Sequence, residues 1–414
     1  MKILMIHKFY YVNGGACRYM FELSKLLEKN GHEVVPFSMQ HPRNHPTPYE
    51  KDFVSNISFQ GMNFAQKLLK APGITKRVIY SKEARNALER LIEREKPDLA
   101  HVHMIDHQLS PSIFDALKKF GIPTIQTVHQ YKMVCPNYSL YIYRNHERCT
   151  RCVEGSFFNA VKHRCHKDSL VGSSIVAFES AFHKRRGTYD MVDLFHTPSQ
   201  FTEQLYLRHG VPQERVWQQF YTINMEDYPY SPDFEDYFVF YGRVAQEKGV
   251  MTLLQALDKV RMSKLKVVGE GPHIPELQSF VKEKGLEDRV EFTGYKQGKE
   301  LHDLVAGAKF VVAPSLWHDN SPLVMYESFS RGKPVVGSRT GGIPEMVRDH
   351  VTGRQFDPGD HEALAEILSE LLQDDALVLE MGRNARRLAE EEFAPDVHYQ
   401  KMKSAYDKLL NGSR

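Results

Sequence analysis

Short apolar runs and amphipathic stretches alternate along the chain in two separate series. The first series of runs covers residues 2–7, 33–38, 98–103, 124–129 and 191–197; the second covers 238–241, 265–268, 290–293, 310–313 and 334–337. Short apolar runs set between helical stretches read as strands buried on both faces, so each series predicts a parallel sheet with helices packed on both sides. Between the first two runs, Met20, Phe21, Leu23, Leu26 and Leu27 fall mainly on one helical face, and Asn30-Gly31 supplies a stop. Residues 224–236, with Pro229 and Pro232, read as a linker between two halves. The fold class is therefore α/β, with two doubly wound, Rossmann-like domains facing across a cleft. Ligands of such sheets bind at the carboxyl ends of the strands, and here both sets of ends would surround one space.

Composition narrows the function without naming it. A chain of 414 residues has room for two or three domains, and 54 basic against 52 acidic residues give a net charge of +2. That balance supplies no general field for nucleic acid, and no nucleic-acid partner is expected. No run of 18 apolar residues occurs, and mean hydropathy is −0.46, so any membrane contact would be peripheral. The start of the chain, Met1 to His7, reads as a first strand rather than a signal peptide, which makes the cytoplasm the expected compartment.

Residues 310–345 carry the most chemistry. A strand ends in a polar loop, and Ser321-Pro322 predicts a helix start with serine at the N-cap and proline at the first helical position. Free N–H groups and the helix dipole make such an end an anion site. Glu327 lies about 9 Å further along that helix, at nucleoside distance from a bound phosphate and suited to ribose hydroxyls. A second strand then leads to Gly341-Gly342. In the same half, Arg243 and Lys248 stand five residues apart on the loop after the run at 238–241, where both can reach one diphosphate.

These segments resemble the retaining glycosyltransferases of family four, which have the GT-B fold. The family pattern of Glu, seven residues, then Glu ends here at Glu327 and begins at Asp319, a departure that keeps the charge and shortens the side chain. Gly332-Lys333-Pro334-Val335-Val336, Gly341-Gly342-Ile343-Pro344-Glu345 and Gly242-Arg243 through Lys248-Gly249 match the other family motifs. The resemblance implies that Arg243 and Lys248 stabilise charge on a leaving nucleotide, and that Asp319 and His129 contact the donor sugar. It places Gly14 and Gly15 over the donor phosphates from the first domain. Gly242, Tyr295, Asn320, Ser321, Pro322, Leu323 and Glu327 complete the implied donor site. It also implies an acceptor-side domain over 1–223, a nucleotide-sugar domain over 224–394, and a helix over 395–414 that returns to the first domain.

The implied reaction moves a sugar from a nucleotide-diphosphate donor, with uridine the expected base, to an acceptor hydroxyl with retention. The expected acceptor is a glycan or a lipid-linked precursor; a soluble sugar phosphate, a 2-epimerase and a non-catalytic nucleotide-sugar binder are the alternatives. No D-x-D occurs in the chain, and no cofactor is required for catalysis.

Four of the five cysteines, Cys135, Cys149, Cys152 and Cys165, cluster in an irregular insertion over about 131–167. A C-x-x-C pair flanked by single cysteines is compatible with a structural zinc and equally with free thiols; disulfides fit a cytoplasmic setting less well. Two basic clusters, at 162–167 and 183–186, could meet a phosphorylated acceptor or anionic lipid headgroups, or serve as solvated surface charge.

Overall fold

The computed structural model describes residues 1–57, 73, 75–260 and 263–412. The first sheet is built from β1 (Lys2–Ile6), β2 (Glu33–Phe37), β3 (Leu99–Val102) and β4 (Thr124–Thr127), with a small hairpin, β5 (Tyr141–Ile142) and β6 (Glu147–Arg148), inserted before β7 (Leu194–Thr197) and β8 (Val216–Gln218). Its order is β2-β1-β3-β4-β7-β8, every pair parallel. The second sheet holds β9 (Phe238–Tyr241), β10 (Leu265–Val268), β11 (Val290–Gly294), β12 (Val311–Ala313), β13 (Val335–Ser338) and β14 (Gly353–Phe356). Its order is β11-β10-β9-β12-β13-β14, again parallel throughout.

All ten apolar runs form strands, with two kinds of difference. The run at 191–197 starts its strand only at Leu194, because Thr188–Met191 is a 3-10 turn. The edge strands β8 and β14 escaped the pattern: each is half polar and only partly buried, as edges are.

A continuous apolar cluster runs from Ile3 and Tyr19 in the first domain through Tyr221, Tyr326 and Phe393 to Val335 in the second. The last helix, Pro395–Gly412, follows the second domain in sequence yet bonds to the first. Tyr406 pairs its hydroxyl with His101 Nδ1 at 2.7 Å, Tyr399 with His32 at 2.9 Å, and Tyr19 reaches His398 at 3.0 Å. Residues 413–414 of the expected returning segment lie outside the described residues. Shared apolar packing and these polar ties hold the two strand-end edges face to face.

Candidate active site

A cleft of about 930 Å³ opens between the two sheets, and every donor or catalytic residue singled out above lines it. The loop after β9 enters through Gly242, whose φ of +143° admits few side chains. Next to it, a Cβ on Gly269 would stand 1.9 Å from the Gly242 carbonyl, so the two loops touch backbone to backbone. Lys248 then donates from Nζ to Asp319 Oδ2 at 2.7 Å, and Ser315 donates to the same oxygen at 2.7 Å. Burial would raise the Asp319 carboxyl, but Lys248 and the hydrogen bonds of Ser315 and Trp317 outweigh it and hold the group below the usual aspartate range. Arg243 turns toward the buried Glu247 four residues on. Both cations of the loop thus stand at the cleft wall with a carboxylate behind each.

The helix Leu323–Ser330 starts one residue later than predicted, with Pro322 at the N-cap. Ser321 does not cap it; its hydroxyl shares a 2.6 Å hydrogen bond with Tyr326 instead. Asn320 faces the other domain. Its Nδ2 donates to the Val128 carbonyl at 2.7 Å, while its Oδ1 accepts from Ser199 at 3.0 Å and Thr202 at 2.5 Å. Its side chain is therefore a clasp between domains, and what it presents to a donor is backbone. Gly341 and Gly342 explain themselves similarly: Cβ atoms there would stand 1.9 Å from the Asp319 carbonyl and 2.0 Å from that of Asn320. Glu345 accepts from the backbone N–H groups of Gln200 and Phe201 at 2.6 and 2.7 Å, capping the helix Gln200–Arg208 from across the interface.

From the first domain come Gly14, Gly15 and His129. Gly14 has φ +105°, a backbone conformation that favours glycine, and a Cβ on Gly15 would meet Leu323 at 3.4 Å, so this loop lies against the opposite wall. His129 uses both ring nitrogens inside the protein, one with Tyr221 at 2.8 Å and one with His103 at 2.9 Å. Burial, then neighbouring histidines, push it well below the ordinary histidine range, so it is neutral. Tyr295 stands 64% exposed at the rim, open to a stacking base.

Arg18 was not anticipated. It donates to Glu327 Oε1 at 2.6 Å and also reaches the Tyr228 hydroxyl, and all three residues line the cleft. Its only sequence signal is position, one turn into the helix that follows the glycine loop. The cross-domain roles of Asn320 and Glu345 were equally invisible, since neither has a local partner.

The four clustered cysteines line one small cavity together with His163. Burial, then the neighbouring thiols, push Cys152 and Cys165 up to about 12. Among the described residues, however, no group of three or more His, Cys, Asp or Glu side chains is arranged to hold a metal ion. The zinc expectation is therefore not supported by this geometry, and the cysteines stand as free thiols.

Residues 13–218 match the family model described as Glycosyltransferase Family 4, and residues 229–388 the one described as Glycosyl transferases group 1. Among curated relatives, the chain is 30% identical over 170 residues to N-acetyl-alpha-D-glucosaminyl L-malate synthase of Bacillus anthracis, covering 40% of this chain and 44% of that one. It is 28% identical over 177 residues to the amylovoran biosynthesis glycosyltransferase AmsK of Erwinia amylovora, covering 41% and 44%. These matches span less than half the length of either relative. Solved structures align along the whole chain. Sucrose-phosphate synthase from Thermosynechococcus elongatus has a TM-score of 0.73 at 19% identity over 99% of both chains. Anabaena HepE, in complex with UDP, has a TM-score of 0.67 at 18% identity over 99% of this chain and 100% of that one.

Proposed function

The chain belongs to the family-four, group 1 glycosyltransferases and has their GT-B fold, and from that premise we propose that it transfers a sugar from a UDP-sugar to an acceptor hydroxyl with retention. The observation that carries this reading is the pairing, in one cleft, of the Arg243 and Lys248 cations with the buried Glu327. In this reading Glu327 takes the ribose hydroxyls, as its depth along the helix suits. Tyr295 stacks on the base at the rim. Arg243 and Lys248 face the diphosphate, assisted by the amino end of the Leu323–Ser330 helix and the Gly14-Gly15 loop. Asp319 holds Lys248 in place and, with His129, faces the sugar. The complex of HepE with UDP supports uridine as the base.

Among the described residues, the carboxylates lining the cleft are Glu270, Asp319 and Glu327, all from the donor-side domain, two of them already paired with a cation. None stands on the opposite wall as a nucleophile toward the far face of the sugar. The mechanism that follows is front-face substitution. The bond from the anomeric carbon to the phosphate oxygen breaks, and its electron pair goes to the phosphate. The acceptor oxygen bonds to the same face of that carbon, and the acceptor's proton passes to the departing phosphate oxygen. Cations at the diphosphate lower the barrier by stabilising charge that grows as the bond opens. Proton NMR of the first-formed product tests this: an α-configured donor should give an α-linked product, and a β-linked product would overturn the retaining assignment.

We place the acceptor in the class of glycans or lipid-linked sugars, at the first-domain side of the cleft near Gln130, Tyr131 and Tyr138.

A further inference from the structure

Ten large apolar side chains are exposed among the described residues, and five of them lie within one short stretch of the first domain: Phe158 (67%), Leu170 (53%), Val171 (71%), Phe178 (61%) and Phe182 (36%). Four belong to the helix Leu170–Arg185, at positions that share one face with Ser174, Ala181 and Arg185. On the opposite face Ser173, Val176, Ala177, Glu179, Ser180 and His183 are buried. Phe178 stacks on Phe182 at 6.4 Å, and Phe178 and Phe158 border a groove of about 560 Å³ that also takes in Lys184. A monomeric surface rarely leaves such a patch uncovered.

Charge identifies what covers it. Between 162 and 186 the chain carries six Lys and Arg against two Asp and Glu, although the whole protein is nearly neutral. One of the two acids, Glu179, faces inward and pairs with Lys132 at 2.8 Å. Lys162, Arg164, Lys167, Lys184 and Arg185 are all exposed and make no ion pair among the described residues. Lys162 lies one helical turn after Phe158, and Arg185 lies one turn after Ala181 and Phe182, so the cations edge the apolar face. An apolar stripe bordered by unpaired cations, on a helix of 16 residues that is too short and too polar to span, is the pattern of an element lying in the plane of a membrane interface.

We propose that the outer face of the Leu170–Arg185 helix, with Phe158, docks on an anionic lipid bilayer. Its inner face connects to the cleft: Glu179 holds Lys132, which also donates to the Pro136 carbonyl at 3.2 Å, and this segment carries Gln130, Tyr131 and Tyr138 into the cleft wall. Docking would bring the acceptor side of the cleft to the bilayer. The presentation of a lipid-linked acceptor there rests on the transfer reading above; the docking itself does not.

Sedimentation of the full chain with vesicles tests it, using phosphatidylcholine alone and an equal mixture with phosphatidylglycerol. The wild type should sediment with the anionic vesicles, less with the neutral ones, and less as salt rises. Lys184→Gln/Arg185→Gln should weaken binding roughly fivefold per cation removed, and Phe178→Ser/Phe182→Ser should abolish it. UDP binding by the same samples controls for folding and should persist in every variant. A wild type that ignores anionic vesicles, or a serine variant that binds them as well as the wild type, overturns the proposal. So does a wild-type dimer in gel filtration that the serine variant converts to monomer, since the face would then belong to a second copy. Absent UDP binding in the wild type would sink the transfer reading and leave the vesicle result standing.

Discussion

Arg18, on the first helix of the chain, donates a 2.6 Å hydrogen bond to Glu327, on the helix that closes the far wall of the cleft. The carboxylate proposed to take the ribose is thus already held by the opposite domain, and it is buried while doing so. Arriving ribose hydroxyls would share Glu327 with that guanidinium or replace it.

A stability difference that depends on nucleotide follows. Arg18→Met leaves Glu327 buried without its cation and should cost about 1–3 kcal/mol. Saturating UDP should return part of that loss, because ribose hydroxyls satisfy the carboxylate. Thermal unfolding with and without UDP reads the gap directly. A gap that UDP leaves unchanged would place the ribose away from Glu327.

Lys248 and Asp319 separate catalysis from stability. Lys248→Ala should lower kcat/KM by about 10²–10³, the scale of losing one charge-stabilising donor. It should also lower Tm, because Asp319 is left charged, buried and unpaired. Lys248→Ala/Asp319→Asn should recover Tm and none of the activity, and a double-mutant cycle of both quantities checks it.

The first domain carries an acid-labile core. His7 and, on the returning helix, His398 are pushed down to about 3 and His196 to about 4, by burial first; Lys8 adds to the shift at His7 and His196 to that at His398, with backbone contacts only partly opposing. In the unfolded chain a histidine titrates near 6.5. Between the folded and unfolded values the unfolded state binds more protons, so stability falls as pH falls through that window. It is unaffected above about pH 7. One such histidine costs roughly 2 kcal/mol between pH 7.5 and 5. Several acting together should bring Tm down steeply below pH 6.5, measured by calorimetry in buffers of matched ionic strength. A flat Tm from pH 7.5 to 5 would mean these rings are not neutral in the fold.

Gly341 tests the loop that carries Asp319. Its φ is +59°, and a Cβ would stand 1.9 Å from the Asp319 carbonyl. Gly341→Ala should therefore displace the 319–320 backbone, cutting activity at least tenfold while the chain still folds. Gly31→Ala has a comparable positive φ and nothing within 4 Å, so it should cost stability and leave kcat unchanged.

Strands were legible where central ones such as Phe238–Tyr241 and Val311–Ala313 are apolar along their whole length and buried throughout, a pattern that two-sided burial produces. The edge strands β8 and β14 were not, since Gln218, Arg354 and Gln355 are tolerated where one side meets solvent. Lys248, Asp319 and Glu327 were legible through their motif spacing. Arg18, Asn320 and Glu345 were not legible as cross-domain partners, because each finds its contact more than a hundred residues away. Ser321 shows local propensity losing to tertiary structure: a serine before proline is an apt cap, but Tyr326 takes its hydroxyl. The cysteines converge as their spacing suggested, without an arrangement that holds a metal.

Donor binding is the most direct test of the central claim, read as the shift in thermal unfolding of the full chain with UDP, GDP and ADP. The account predicts that UDP alone raises apparent stability, by about 2.7 kcal/mol at a hundredfold excess over Kd, and that Lys248→Ala or Glu327→Gln removes most of the shift. No stabilisation by any of the three at millimolar concentration, or a shift that both variants retain in full, would contradict it.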